Sequence, residues 1–199
     1  ALDRETTRAE TLCRGALLPM EDPKRFEIAA LVRWIAAFEQ CLTRRTTEAW
    51  RLEQSPILGG RRDVAAFASK DGRRIAFYYD VSHLAGGDYT ESLDHYLTEG
   101  FCRPDVTIVC ERQGEALTAL VIEVKQSGER GYLASGLAEA WAYRYDLDKH
   151  LRDLPKAVLF AEGGLRDVWR AGDEVIALDW QGDALDAVVT AWVEAALHR

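Results

Sequence analysis

Residues 101–110 read FCRPDVTIVC and residues 119–127 read ALVIEVKQS. Both are short apolar runs of strand-forming residues, yet the first carries Asp105 and the second carries Glu123 and Lys125. Side chains alternate between the two faces of a strand, so Glu123 and Lys125 share a face while Leu120, Ile122 and Val124 point the other way into apolar packing. By the same rule Asp105, Thr107 and Val109 lie together. Gln113-Gly114 separates the runs and reads as a turn. Gly114 is equidistant in sequence from Asp105 and Glu123, so a turn centred there sets the two carboxylates opposite each other, roughly 5 Å apart. A bulge would alter that register.

Like charges facing each other destabilise a sheet. A bound divalent cation reverses the effect, because hard cations take clustered carboxylate oxygens. An ammonium beside a metal-bound water stabilises developing negative charge or orients the nucleophile. Two acids, a metal and a lysine make a hydrolytic set suited to phosphodiesters. Taken alone, the Glu-Val-Lys triplet also fits an ion pair on a solvated sheet face, and Asp105 a strand start after Pro104.

Outward from this hairpin, the chain alternates helical and strand patterns. Asp22-Pro23 is a helix start, followed by KRFEIAALVRWIAAFEQCLTRR, in which Ile28, Leu31, Ile35, Phe38 and Leu42 recur at helical spacing. SPILGGRRD reads as loop. DVAAFAS and RRIAFYYDVS flank Asp71-Gly72, a hairpin signal. HLAGGDYTESLDHYLTEG reads as a polar insertion with little regular structure. After the Asp105 and Glu123 strands come a helix in YLASGLAEAWAYRYDLDKHL, strands in KAVLFAEG and DEVIALDW, and a closing helix in DALDAVVTAWVEAALHR. The order condenses to helix, three antiparallel strands, helix, strand, strand, helix. It predicts an α/β fold with a mixed central sheet and helices on its faces, residues 1–22 being an extension and 23–199 the domain.

The 199 residues suffice for one domain with a sizeable core. Hydrophobic residues at 48% and charged ones at 29% fit a soluble globular chain, with no bilayer-spanning run and no signal peptide. The chain begins at Ala1 rather than Met, as a domain cut from a longer protein would. The net charge of −8 is the wrong sign for coating a nucleic acid, so such a role needs a local basic patch, a cation or a partner. Cys13, Cys41, Cys102 and Cys110 form no CxxC pair and have no histidine at zinc-site spacing, which points to reduced thiols and a cytoplasmic setting. His83, His95, His150 and His198 are scattered and read as surface or structural groups.

RPD at 103–105 followed by IEVK at 122–125, together with the α-β-β-β-α-β order, resembles the PD-(D/E)XK nuclease superfamily over roughly residues 23 to 180. The resemblance implies a restriction-endonuclease-like core. It implies a hydrolase with Asp105, Glu123 and the Val124 carbonyl binding Mg²⁺ or Mn²⁺ and Lys125 assisting the water. A glutamate on the first core helix often joins this site. Glu27 is the candidate, beside Leu31, Trp34 and Phe38 on the apolar side; it also fits a helix-start glutamate favoured by the dipole. Glu39 lies further round the helix and is a weaker candidate. On the helix after the lysine, Tyr143 would orient a water and Arg144 would contact phosphate; Gln126 would lie behind the lysine. Core tyrosines, a surface arginine and an exposed strand end account for the same residues.

FEIAALVRWI, RRIAFYYD, RPDVTIV and AYRYDL are similar to the nuclease subunit of modification-dependent restriction systems, although the third-strand motif there usually has Asp where this chain has Glu123. That likeness implies a role in bacterial defence and a further domain or subunit for recognition or activation; DNA rather than RNA is the expected substrate, and the lack of a long apolar run leaves no membrane among the expected partners. The alternatives are a non-catalytic assembly or nucleic-acid-binding module of the same fold and an RNA-cleaving effector.

Overall fold

The computed structural model describes residues 22–54, 63–80, 84, 86–96, 103–166 and 168–199. The expected extension at 1–22 and loop at 55–63 lie almost wholly outside these residues, as do Cys13 and Cys102.

The first described helix, α1 (Asp22–Arg45), carries the expected stripe: Ile28, Leu31, Ile35, Phe38 and Leu42 are all buried, with Trp34 between them. Phe38 meets Phe77 edge-on, with ring centres 5.2 Å apart. Among the described residues seven strands follow: β1 (Trp50–Gln54), β2 (Ala65–Ser69), β3 (Arg73–Tyr79), β4 (Val106–Arg112), β5 (Glu115–Lys125), β6 (Ala157–Ala161) and β7 (Val175–Asp179). They lie in the sheet in sequence order. β1 to β5 run antiparallel, and β5, β6 and β7 are parallel.

Three further helices follow among the described residues: α2 (Asp88–Tyr96) between β3 and β4, α3 (Arg130–Asp146) between β5 and β6, and α4 (Leu185–Leu197) after β7. The molecule is therefore α/β with a mixed sheet, and its layers have distinct cores. α1 and α4 cover one face, where Leu31, Trp34, Phe38 and Trp192 meet Ile108, Leu120, Ile122 and Val124. α3 covers the other, where Ala140 and Tyr143 meet Val109, Ala119 and Val121. Val124 and Glu123, neighbours in sequence, thus face different layers, as strand alternation requires.

Two expectations need correction. Among the described residues the antiparallel run holds five strands rather than three: beyond the four runs named from DVAAFAS to the Glu123 strand it includes β1, a short edge strand in which Trp50 and Leu52 pack on the core while Arg51 is exposed. The polar insertion also contains a helix, α2. Its cap comes from far along the chain. Asp146, buried at the end of α3, accepts hydrogen bonds at Oδ1 from the N–H groups of Gly87 (2.9 Å), Tyr89 (3.1 Å) and Thr90 (3.2 Å), and the Thr90 hydroxyl donates to Oδ2. One carboxylate satisfies donors that a helix start otherwise leaves open.

The β4–β5 hairpin fixes the site. Gln113 (φ 54°) and Gly114 (φ 85°) both occupy the left-handed region that a tight two-residue turn demands. The turn is centred between them, so Arg112 pairs with Glu115 and Glu111 with Ala116. A regular ladder from that turn would set Asp105 opposite Ile122. Instead Cys110 pairs with Thr118, leaving Leu117 as an extra residue, and the shifted register runs on to Val106 opposite Ile122. Continued by one residue, it faces Asp105 with Glu123. The bulge and the off-centre turn cancel, giving the register that a turn centred on Gly114 predicts.

Candidate active site

Asp105 is the last residue before β4. Its carbonyl accepts from the Asp80 N–H (2.9 Å), which continues the β3–β4 contact past the ladder. Its Oδ2 accepts from the Val124 N–H at 2.8 Å. The Val124 backbone therefore faces the space vacated where β4 begins. On the other side of β5, the Lys125 carbonyl accepts from the Glu162 N–H at 3.1 Å. Because backbone polar groups alternate sides along a strand, the Val124 carbonyl opens on the Asp105 side, beyond the last β4 partner.

Glu123 and Lys125 are both buried beneath α3. Lys125 Nζ donates to Glu123 Oε1 (2.6 Å) and to Glu139 Oε2 (2.9 Å). Tyr143 donates its hydroxyl to Glu123 Oε2 at 3.1 Å, and Ser135 donates to Glu139 Oε1 at 3.0 Å. Glu139 and Tyr143 stand one helical turn apart, so both reach the same end of β5. Gly136 makes this close approach possible. A Cβ there would lie 2.8 Å from Lys125 Cε and Cγ and 2.8 Å from Leu159 Cδ1. The Tyr132 ring covers the ammonium, 5.1 Å from Nζ.

Glu27 enters from the opposite layer, at the end of the sheet where β3 stops and β4 starts. Its Oε2 accepts from the Tyr79 hydroxyl (2.9 Å) and from Lys24 Nζ (2.7 Å). The partner that a carboxylate on the apolar side of a helix requires is thus Tyr79, reinforced by an ammonium one turn earlier.

Burial raises the Asp105 pKa to about 6, with the charge of Glu27 adding to the effect against the Val124 N–H and Lys125. Burial and then the Asp105 charge push Glu123 well above the usual carboxylate range, more than Lys125 offsets. Burial works to lower the Lys125 pKa, but the hydrogen bonds and charges of Glu123 and Glu139 win and raise it. Burial and the Glu123 charge keep Tyr143 a protonated donor at any ordinary pH. The three carboxylates Glu27, Asp105 and Glu123 thus form a chain of like charges in which each of the last two resists ionising beside its neighbour.

The donors fit a hard divalent cation in kind: carboxylate oxygens of Asp105, Glu123 and Glu27 and the carbonyl of Val124. Their mutual repulsion is what such an ion would relieve. As placed, Glu123 turns both oxygens to Lys125 and Tyr143, and among the described residues no three His, Cys, Asp or Glu side chains converge closely enough to cage a metal.

Sequence reasoning missed Glu139, Lys24 and Tyr79. Finding Glu139 requires knowing that α3 lies back along β5; its turn spacing to Tyr143 is the one local signal. Arg144 needs correction. Its Nε and Nη2 each bind Glu174 at 2.7 Å, and Lys156 reaches the same carboxylate at 3.1 Å. Glu174 precedes β7 and Lys156 precedes β6, whereas Lys125 pairs with Ala161 at the far end of β6. Arg144 therefore sits at the opposite end of the sheet from the carboxylates. Glu39 is about 18 Å further along α1 than Glu27 and lines a separate cleft with Leu42, Trp50 and Phe67. Gln126 lies just past the end of β5.

No family model, curated protein or solved structure matches this chain. Among the described residues no helix is long and apolar enough to cross a membrane.

Proposed function

We propose that the chain is a metal-dependent nuclease of the PD-(D/E)XK superfamily, built on a restriction-endonuclease-like core and acting on DNA as the effector of a bacterial defence system. The observation that carries this reading is the bulged β4–β5 register, which sets Asp105 against Glu123 with Lys125 on the same face. A hairpin selected for stability alone would not set a half-buried carboxylate, Asp105, against a buried one, Glu123.

Asp105, Glu123, the Val124 carbonyl and Glu27 would hold Mg²⁺ or Mn²⁺; the ion, when bound, supplies Lewis-acid polarisation of the phosphate and a lowered pKa for water. The protein's own groups do the positioning. Asp105 is aimed by the Val124 N–H, Glu123 by Tyr143, and Glu27 by Tyr79. Lys125, fully charged and steered by Glu139, places an ammonium where negative charge develops on the attacked phosphate. Tyr143 stays protonated and donates to Glu123, so it orients that carboxylate and does not act as a base.

A second reading, a non-catalytic assembly or binding module of the same fold, is favoured by the lack of a closed three-ligand cage among the described residues. One assay separates them: incubation with plasmid, single-stranded DNA and RNA in Mg²⁺, Mn²⁺ or EDTA. The nuclease reading expects cleavage of DNA in either metal and none in EDTA. No cleavage of any substrate, with no Mg²⁺ binding by calorimetry, leaves the second reading standing. Cleavage of RNA alone would reassign the substrate.

A further inference from the structure

We infer that Lys24 and Arg103 form a two-pronged clamp for a backbone phosphate of the substrate, and that Asp80 fills this clamp as an internal anion until substrate displaces it. The inference rests on the nuclease reading and adds how a chain of net charge −8 would take hold of a polyanion.

Three observations carry it. Asp80 shares itself between two cations from separate parts of the chain: Oδ1 lies 3.2 Å from Arg103 Nε and Oδ2 lies 3.9 Å from Lys24 Nζ. Asp80 does this from a left-handed backbone (φ 50°) that non-glycine residues seldom adopt. Its N–H is fastened to the carbonyl of Asp105, the central carboxylate of the site, at 2.9 Å. The side chains of Lys24 and Arg103 are 43% and 51% exposed, so their ion pairs with Asp80 add little stability.

The clamp is therefore cheap to open. A phosphodiester carries the same single negative charge as Asp80 and offers two free oxygens to two separated donors. Lys24 also binds Glu27 at 2.7 Å, and Arg103 is two residues from Asp105 in sequence, so a phosphate held here lies beside the carboxylates. It would be a neighbour of the scissile phosphate, because no carboxylate other than Asp80 has to leave.

The test is fluorescence anisotropy with a labelled duplex DNA oligonucleotide in Ca²⁺, across a salt series, on the full chain and its Arg103→Ala, Lys24→Gln and Asp80→Asn variants. Circular dichroism melts check that each variant is folded. For the two cation variants we expect affinity to fall roughly tenfold each and the slope of log affinity against log salt to shallow by about one each. Asp80→Asn should bind several-fold tighter. If one variant fails to fold, the other cation and Asp80→Asn still decide the matter. Unchanged slopes and affinities in folded variants, weaker binding by Asp80→Asn, or no DNA binding by the parent chain would each overturn the clamp. A parent chain that cleaves DNA while the slopes stay unchanged removes the clamp and keeps the nuclease. Binding with shallower slopes but no cleavage in Mg²⁺ keeps the clamp and removes the nuclease.

Discussion

At the residue scale, the proposed chemistry turns on Lys125. It is paired with two carboxylates yet is no metal ligand, since an ammonium has no lone pair to give. Lys125→Met keeps the aliphatic stem over Gly136 and removes the charge. The cleavage rate should fall on the order of 10²–10³-fold. Mg²⁺ affinity by calorimetry should hold or tighten, because Glu123 Oε1 is released. A variant cutting at the parental rate would show that Lys125 is a structural counter-ion.

Asp105 gives a pH signature. Its folded pKa, about 6, lies above the ordinary carboxylate value, so the folded state holds this proton more tightly than the unfolded one. The stability it confers is complete below about pH 4 and is lost as pH rises to about 6, to the extent of ~2–3 kcal/mol. Glu123, shifted in the same direction, extends the decline to higher pH. In EDTA, Asp105→Asn should flatten the thermal stability profile between pH 4 and 7 and melt no lower than the parent at pH 7. Mg²⁺ should stabilise the parent at pH 7.5 and have far less effect on the variant. A marked loss of stability in EDTA would make Asp105 a structural residue.

At the element scale, the site depends on how α3 lies on β5. Gly136→Ala would place a methyl group 2.8 Å from the Lys125 stem and Leu159. The three atoms it meets, two on Lys125 and one on Leu159, belong to buried side chains, so these side chains or the helix must give way. We expect a loss of about 1–3 kcal/mol in chemical denaturation and a larger proportional loss of cleavage than of DNA binding. Full stability and full activity would mean that the helix is free to move. This scale also shows what the sequence could disclose. The hairpin turns were legible because Asp71-Gly72 and Gln113-Gly114 carry their signal locally, and α1 because its stripe repeats. α2 was not, because its cap is Asp146. Glu139 was not, because its role depends on a packing contact. The placement of Arg144 turned on an acid thirty residues later.

At the scale of the whole molecule, charge sets the working regime. A chain of net charge −8 repels DNA at long range, and a few cations at the site rim correct this only locally. The isolated chain should bind a duplex with a Kd of roughly 10–100 µM at physiological salt and cut it slowly. A partner or added domain with basic surface should raise both. Anisotropy and cleavage time courses on the chain alone and in its natural assembly would measure this. Nanomolar binding and rapid cutting by the isolated monomer would contradict it.

The bulge at Leu117 makes the spacing between the two motifs a matter of parity. Lengthening the β4–β5 hairpin by one residue in each strand, between the site and the turn, keeps Asp105, Glu123 and Lys125 on the face they share. A single added residue does not: inserted between Thr118 and Glu123, it would turn Glu123 and Lys125 toward α1 and α4 and bring an aliphatic residue to face Asp105. Paired insertions should therefore retain metal binding and cleavage, while the single insertion abolishes both even if the chain still folds. Among descendants of this chain, an odd insertion or deletion in the hairpin would disarm the site in one step, with every motif residue still present in the sequence.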